Sequence, residues 1–153
     1  NLSQAAIAFE NVVRLAPKNA NAWAELADLT IALNPSDLLK AGEIAEKALA
    51  VDPWHQKGLM IGAAAAFERG DYAHAAVLFD RLRKQIPAGN EVHDALTQQI
   101  EMTLAAGGLK AIPKDDVGEK PETDLEKMMK LGVGMQQAPE RGQDGVGLNP
   151  LKR

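Results

Sequence analysis

Apolar residues recur at spacings of three and four along residues 1–107, in blocks set apart by short polar breaks. That period is the signature of amphipathic helices, and it predicts six of them, over 3–15, 20–33, 38–51, 56–69, 72–85 and 91–106. Each block is rich in Ala, Leu, Glu, Lys and Gln, which lose little side-chain freedom in a helix. The breaks carry stop signals: Pro17-Lys18-Asn19, Asn34-Pro35-Ser36-Asp37, Asp52-Pro53, Gly70-Asp71 and Pro87-Ala88-Gly89-Asn90. Connections this short join antiparallel neighbours, so the pattern implies an all-α body of helical hairpins.

The pattern ends near Gly107-Gly108. All but two of the alanines and every Trp, Tyr and Phe lie before that point, while most of the glycines and half of the prolines lie from it onward. Stacked helices need small residues where backbones cross and a few large ones between them. Ala63–Ala66 and Ala73-x-Ala75-Ala76 supply the first; Trp23, Phe67, Tyr72 and Phe79 supply the second. The helix over 91–106 places Val92, Leu96, Ile100 and Leu104 in one stripe and Glu91, Asp94, Gln98 and Glu101 on the reverse face, as a capping helix would. Residues 108–153 lack large apolar groups to offset ordering entropy and read as a largely irregular tail. Within it, Thr123-Asp-Leu-Glu126 has the form of a capping box opening a short helix over 123–131. The Leu/Met face of that helix leaves two readings open: a weakly ordered extension, or a segment that docks on a groove and competes with its ligand.

The prolines also set a repeat. Pro17 to Pro53 is 36 residues and Pro53 to Pro87 is 34. The best unit, 56–89, has Gly62-Ala63, then Gly70-x-Tyr72-x-x-Ala75, then Phe79, Leu82 and Pro87. The unit 20–55 has Trp23, Leu26 and Ala27 on its first helix and Ala41, Ala45, Ala48 and Pro53 on or after its second. Residues 2–19, with Ala5, Phe9, Val12 and Pro17, look like the second helix of an earlier unit whose first helix is missing. With Asn1 in place of an initiating Met, the chain reads as a fragment. At these positions it resembles the tetratricopeptide repeat (TPR) family: an antiparallel helix-pair solenoid over 1–107, with partial repeat 2–19, repeats 20–55 and 56–89, capping helix 91–106 and tail 108–153.

A narrower resemblance rests on Val51-Asp52-Pro53, Lys57-Gly58-Leu59 and the run from Ile61-Gly62-Ala63 through Phe67-Glu68-Arg69-Gly70-Asp71-Tyr72. Ala75-Ala76, Phe79, Leu82 and Ile86-Pro87 continue it. These residues are similar to the TPR domain of bacterial c-type cytochrome biogenesis proteins of the CcmI/CycH/NrfG type. The resemblance implies a periplasmic chaperone, tethered to the inner membrane by an upstream segment absent from this chain. Such a protein holds the C-terminal helical segment of apocytochrome c and presents it to the subunits of the haem-ligation complex. It binds no haem or metal itself and needs no cofactor. Carried over by repeat register, the peptide-binding groove is Ala24, Asp28 and Ile31 from one unit and Lys57, Met60, Ala64 and Phe67 from the next. The plain alternatives are interhelix packing for Met60 and Phe67 and solvated surface for Asp28 and Lys57. TPR domains that clamp a terminal carboxylate put Lys and Asn at the positions of Ala24/Asp28 and Met60/Ala64, and this sequence departs from them. A general TPR scaffold for another complex remains the alternative function.

Charge and chemistry narrow the classes further. With 17 basic and 21 acidic residues the net charge is −4, which argues against nucleic acid and against a polybasic membrane-surface protein. There is no Cys, hence no disulfide framework and no thiolate site. His55, His74 and His93 stand 19 residues apart, without metal-ligand spacing. Asp115-Asp116 has no apolar pocket to raise a pKa, and Gly132-x-Gly134 lacks the strand-turn-helix setting of a phosphate loop. The sequence therefore reads as a binding protein and not an enzyme.

Overall fold

The computed structural model describes residues 1–132. Among these the chain is all-α, with seven α-helices and no strand. They are α1 (Leu2–Leu15), α2 (Ala20–Leu33), α3 (Leu38–Val51), α4 (Gln56–Glu68), α5 (Tyr72–Arg83), α6 (Glu91–Gly107) and α7 (Asp124–Leu131), with one 3-10 turn at Pro35–Asp37. Caps fix the starts. The side-chain oxygens of Asn1, Asn19, Asp71 and Asn90 accept from backbone N–H groups in the first turns of α1, α2, α5 and α6, and the His55 imidazole accepts the Gly58 N–H at the start of α4. After α4, Gly70 takes a positive φ of 83° that a side chain would resist, and the chain turns into α5.

The chain divides into two compact units, Asn1–Gly118 and Glu119–Arg153. In the first, each helix packs on the next in sequence, and α2 also packs on α4. Alanine makes this possible: Ala24, Ala27, Ala41, Ala45, Ala48, Ala63, Ala65, Ala66, Ala75 and Ala76 are all completely buried. The tightest approach is α3 on α4, where a Cβ at Gly42 would collide with the Cβ of Ala65. Gly62 is met less severely, by the tips of Leu78 and Leu49 at 3.2 and 3.3 Å. Leu59 and Leu78 are the largest apolar side chains that are fully buried, whereas Trp23, Phe67 and Tyr72 are only half-buried. The main cluster joins Leu49, Leu59, Leu78, Phe79 and Leu82 to Leu96 and Ile100 of α6.

The composition break predicts a tail from residue 108, but the first unit runs on to Gly118. Two things hold this strap. Ile112 packs on the main core cluster. Asp115 accepts from Nε and Nη2 of Arg81 at 3.0 and 2.9 Å, both side chains being largely buried. Arg81 Nη1 also donates to the Pro53 carbonyl at 3.0 Å, and its guanidinium lies 5.9 Å from the Trp54 ring centroid. A charge-assisted bidentate pair orders a stretch too poor in apolar groups to order itself.

In the second unit the described part holds α7. Thr123 and Glu126 form the capping box reciprocally, and Gly132 ends the helix in the left-handed region. Leu125, Met128, Met129 and Leu131 are exposed. The irregular tail expected over 108–153 lies, from residue 133 on, outside the described residues.

Candidate functional site

α4 and α6 both pack on α5, and this leaves a furrow between them with α5 as its floor. One hollow of about 490 Å³ is walled by Met60, Ala64 and Phe67 of α4 and by Val92, Ala95, Leu96 and Gln99 of α6, with Phe79 beneath. A second, of about 390 Å³, continues past Met60 and Val92 to Asp28, Lys57, Leu82 and Ile86. The two share Met60 and Val92, which makes one continuous groove with an apolar middle and polar ends. Met60 and Val92 are 45% and 49% exposed, so the apolar stripe faces solvent and not another helix. Phe67 is braced edge-on against Tyr72, ring centroids 5.2 Å apart, and so forms a rigid wall.

Five of the seven expected groove residues, Asp28, Lys57, Met60, Ala64 and Phe67, stand along this groove. The other two turn inward. Ala24 has no exposed surface, and Ile31 packs on the cluster of Ala27, Ala41, Ala45 and Ile61. Both lie on the side of α2 that meets its neighbours, so the face of α2 toward the groove is the one carrying Asp28. The sequence assigns no groove residue to α6, where Val92 reads as core. Val92, Ala95, Leu96 and Gln99 follow a helical i, i+3, i+4, i+7 spacing that marks one face, but nothing local says whether that face is packed or open.

Lys57 is not a free cation. Its Nζ donates to Glu25 Oε1 at 2.8 Å and to Asp28 Oδ2 at 3.0 Å, tying α4 to α2. The Glu25 hydrogen bond raises the ammonium pKa above its usual value; partial burial opposes this, and Asp28 adds to it. Two of the histidines, His55 and His74, bridge helices. His55 Nε2 lies 2.6 Å from Asn21 Oδ1 while its other ring nitrogen caps α4. His74 Nε2 lies 2.7 Å from Glu46 Oε2, joining α5 to α3 away from the groove, and this bond raises the imidazole pKa against the opposing effect of burial.

Among the described residues no group of His, Asp and Glu has the geometry of a metal site, and no helix is long and apolar enough to cross a membrane. The groove's walls are thioether, aromatic and aliphatic, with amide and carboxylate at its rim. Such a surface can take the apolar face of a helix. Comparison of the chain with protein-family models, with curated proteins and with solved structures finds no match.

Proposed function

We propose that the first unit is a TPR-type helix-pair solenoid, closed by α6, whose groove captures the amphipathic C-terminal helix of apocytochrome c. In this reading α2–α3 and α4–α5 are the two repeats and α1 is the second helix of a partial one. The pairing by sequence neighbours and the caps Asn19, His55 and Asn90 at the start of α2, α4 and α6 support it. So does the Phe67-Glu68-Arg69-Gly70-Asp71-Tyr72 run that carries the family resemblance. The observation that carries the binding role is the exposed apolar stripe from Met60 to Val92, seated in a furrow whose wall is braced by Phe67 on Tyr72.

The protein works as a holder and not as a catalyst. It keeps the client's helical end in place while haem-ligation subunits act on the client's thiol-bearing motif, in the periplasm, beside a membrane to which an upstream segment tethers it. Calorimetric titration with apocytochrome C-terminal peptides tests this. A native-sequence peptide binds at micromolar or better affinity, and a scrambled peptide of equal composition at least ten-fold more weakly. Equal binding of the two rejects the proposal. If unrelated amphipathic helices bind as tightly as the cytochrome peptide, the general scaffold reading replaces it.

A further inference from the structure

We infer that the groove selects helices whose polar flanks are cationic. The inference rests on the groove being a peptide site and adds the charge of the partner. Its basis is the distribution of charge around the apolar stripe. Glu68 stands in the wall at one end, and Asp28 at the other, with Glu25 beside it. Glu91, which the capping pattern sets on the reverse face, precedes Ala95 and Gln99 by one and two four-residue steps, so helical register puts it at the margin of their edge of α6, outside the lining of the two hollows. Among the described residues walling the groove, Lys57 is the one cation, and two carboxylates already hold its ammonium. The Asp28–Glu25 end therefore keeps a net charge of −1 after Lys57, and the Glu68 end has no cation among the residues that wall it.

An amphipathic helix lying on Met60 and Val92 would bring its flanking side chains to these rims. Lys and Arg suit that position, because their aliphatic stems cover the apolar edge while their charged ends reach the carboxylates. Acidic flanks would meet like charge across a surface that exclusion of water makes less forgiving. The rim carboxylates remain partly exposed, with Glu25 and Asp28 side chains at 42% and 54%, so the preference falls with salt.

Three synthetic helical peptides test the inference on the full chain. They share one apolar stripe and carry Lys, Gln or Glu at every polar position. In calorimetry at about 20 mM salt, where the Debye length exceeds about 20 Å, the Lys peptide binds about ten-fold tighter than the Gln peptide, and the Glu peptide binds more weakly than either. The differences shrink to about two-fold at about 300 mM salt. Glu68→Gln combined with Glu91→Gln cuts the advantage of the Lys peptide over the Gln peptide to about three-fold or less at low salt. Met60→Glu abolishes binding of the Lys peptide, because the apolar seat is lost even as negative charge is added. Equal binding of the Lys and Glu peptides at low salt overturns the inference and leaves the peptide-site reading standing. Survival of the Lys preference in Met60→Glu also overturns it, by assigning the preference to the general surface. A chain that binds none of the three overturns both.

Discussion

Replacing Asp115 by Ala removes both carboxylate bonds from a guanidinium whose side chain is 7% exposed. Arg81 would keep the Pro53 carbonyl and the Trp54 ring, neither of which carries a charge. Truncating one partner of a buried ion pair costs about 3–5 kcal/mol, because the other charge stays buried and unpaired. Asp115 lies near the edge of the strap at 14% side-chain exposure, so water would solvate part of the released guanidinium, and about 3 kcal/mol is expected. For a unit of this size that lowers Tm by about 10 °C and the urea midpoint by about 1.5 M. Chemical unfolding followed by circular dichroism measures it. The pair Arg81→Met with Asp115→Leu recovers most of the loss, since neither charge is then stranded. A loss under about 1 kcal/mol for Asp115→Ala, the range of an exposed pair, would refute the view that the strap is clamped. The pH dependence has a definite sign. Burial pushes the Asp115 carboxyl up, but the hydrogen bonds from Arg81 and the Val117 N–H outweigh it and hold the pKa below the usual range. The stabilisation is therefore complete above the ordinary carboxyl pKa and is lost as pH falls through the lower folded value, below about pH 4.

The His74–Glu46 bond has the opposite sign: the imidazole pKa is raised, so its contribution is present below about pH 6.5 and fades as pH rises through the folded value. An NMR titration of the His74 ring should give a midpoint above that of a model imidazole, and a midpoint at or below it would contradict the bond. Gly42→Ala forces a Cβ into Ala65 at the α3–α4 crossing and should cost about 1–3 kcal/mol in urea unfolding; a neutral result would mean the helices separate freely there. Val92→Glu puts a charge on the open stripe and should weaken peptide binding at least ten-fold while leaving the circular dichroism spectrum intact. Phe67→Glu is the poorer probe, because Phe67 also packs on Tyr72 and on the main core.

Much of the fold was legible because its breaks are local. Pro17, Pro35, Pro53, Gly70 and Pro87 interrupt the pattern where each of the first five helices stops, and the predicted spans end within two residues of those observed. The burial of so many alanines was legible for the same reason: a helix of small residues is built to be approached. What escaped the sequence is non-local. Arg81 and Asp115 are 34 residues apart, and the Asp115-Asp116 pair gives no hint that one of them is anchored. The change of composition implies a boundary at residue 108, whereas the first unit extends to Gly118, past the Arg81–Asp115 pair. The groove was half legible. Met60, Ala64 and Phe67 share one face of α4, but Ala24 and Ile31 sit on α2 a fraction of a turn from the open side. Periodicity finds a face without telling which neighbour covers it, and Val92 reads as core in the sequence on that account.

Chemical-shift mapping of the isotope-labelled chain with an apocytochrome C-terminal peptide tests the central claim most directly. The account predicts that the methyl and amide signals of Met60, Ala64, Val92, Ala95 and Gln99 shift together as peptide is added. It also predicts that Leu39, Glu43 and Glu46, around a hollow that shares no residue with the groove, stay in place. Shifts centred on Leu39 and Glu43, with Met60 and Val92 unmoved, would contradict it.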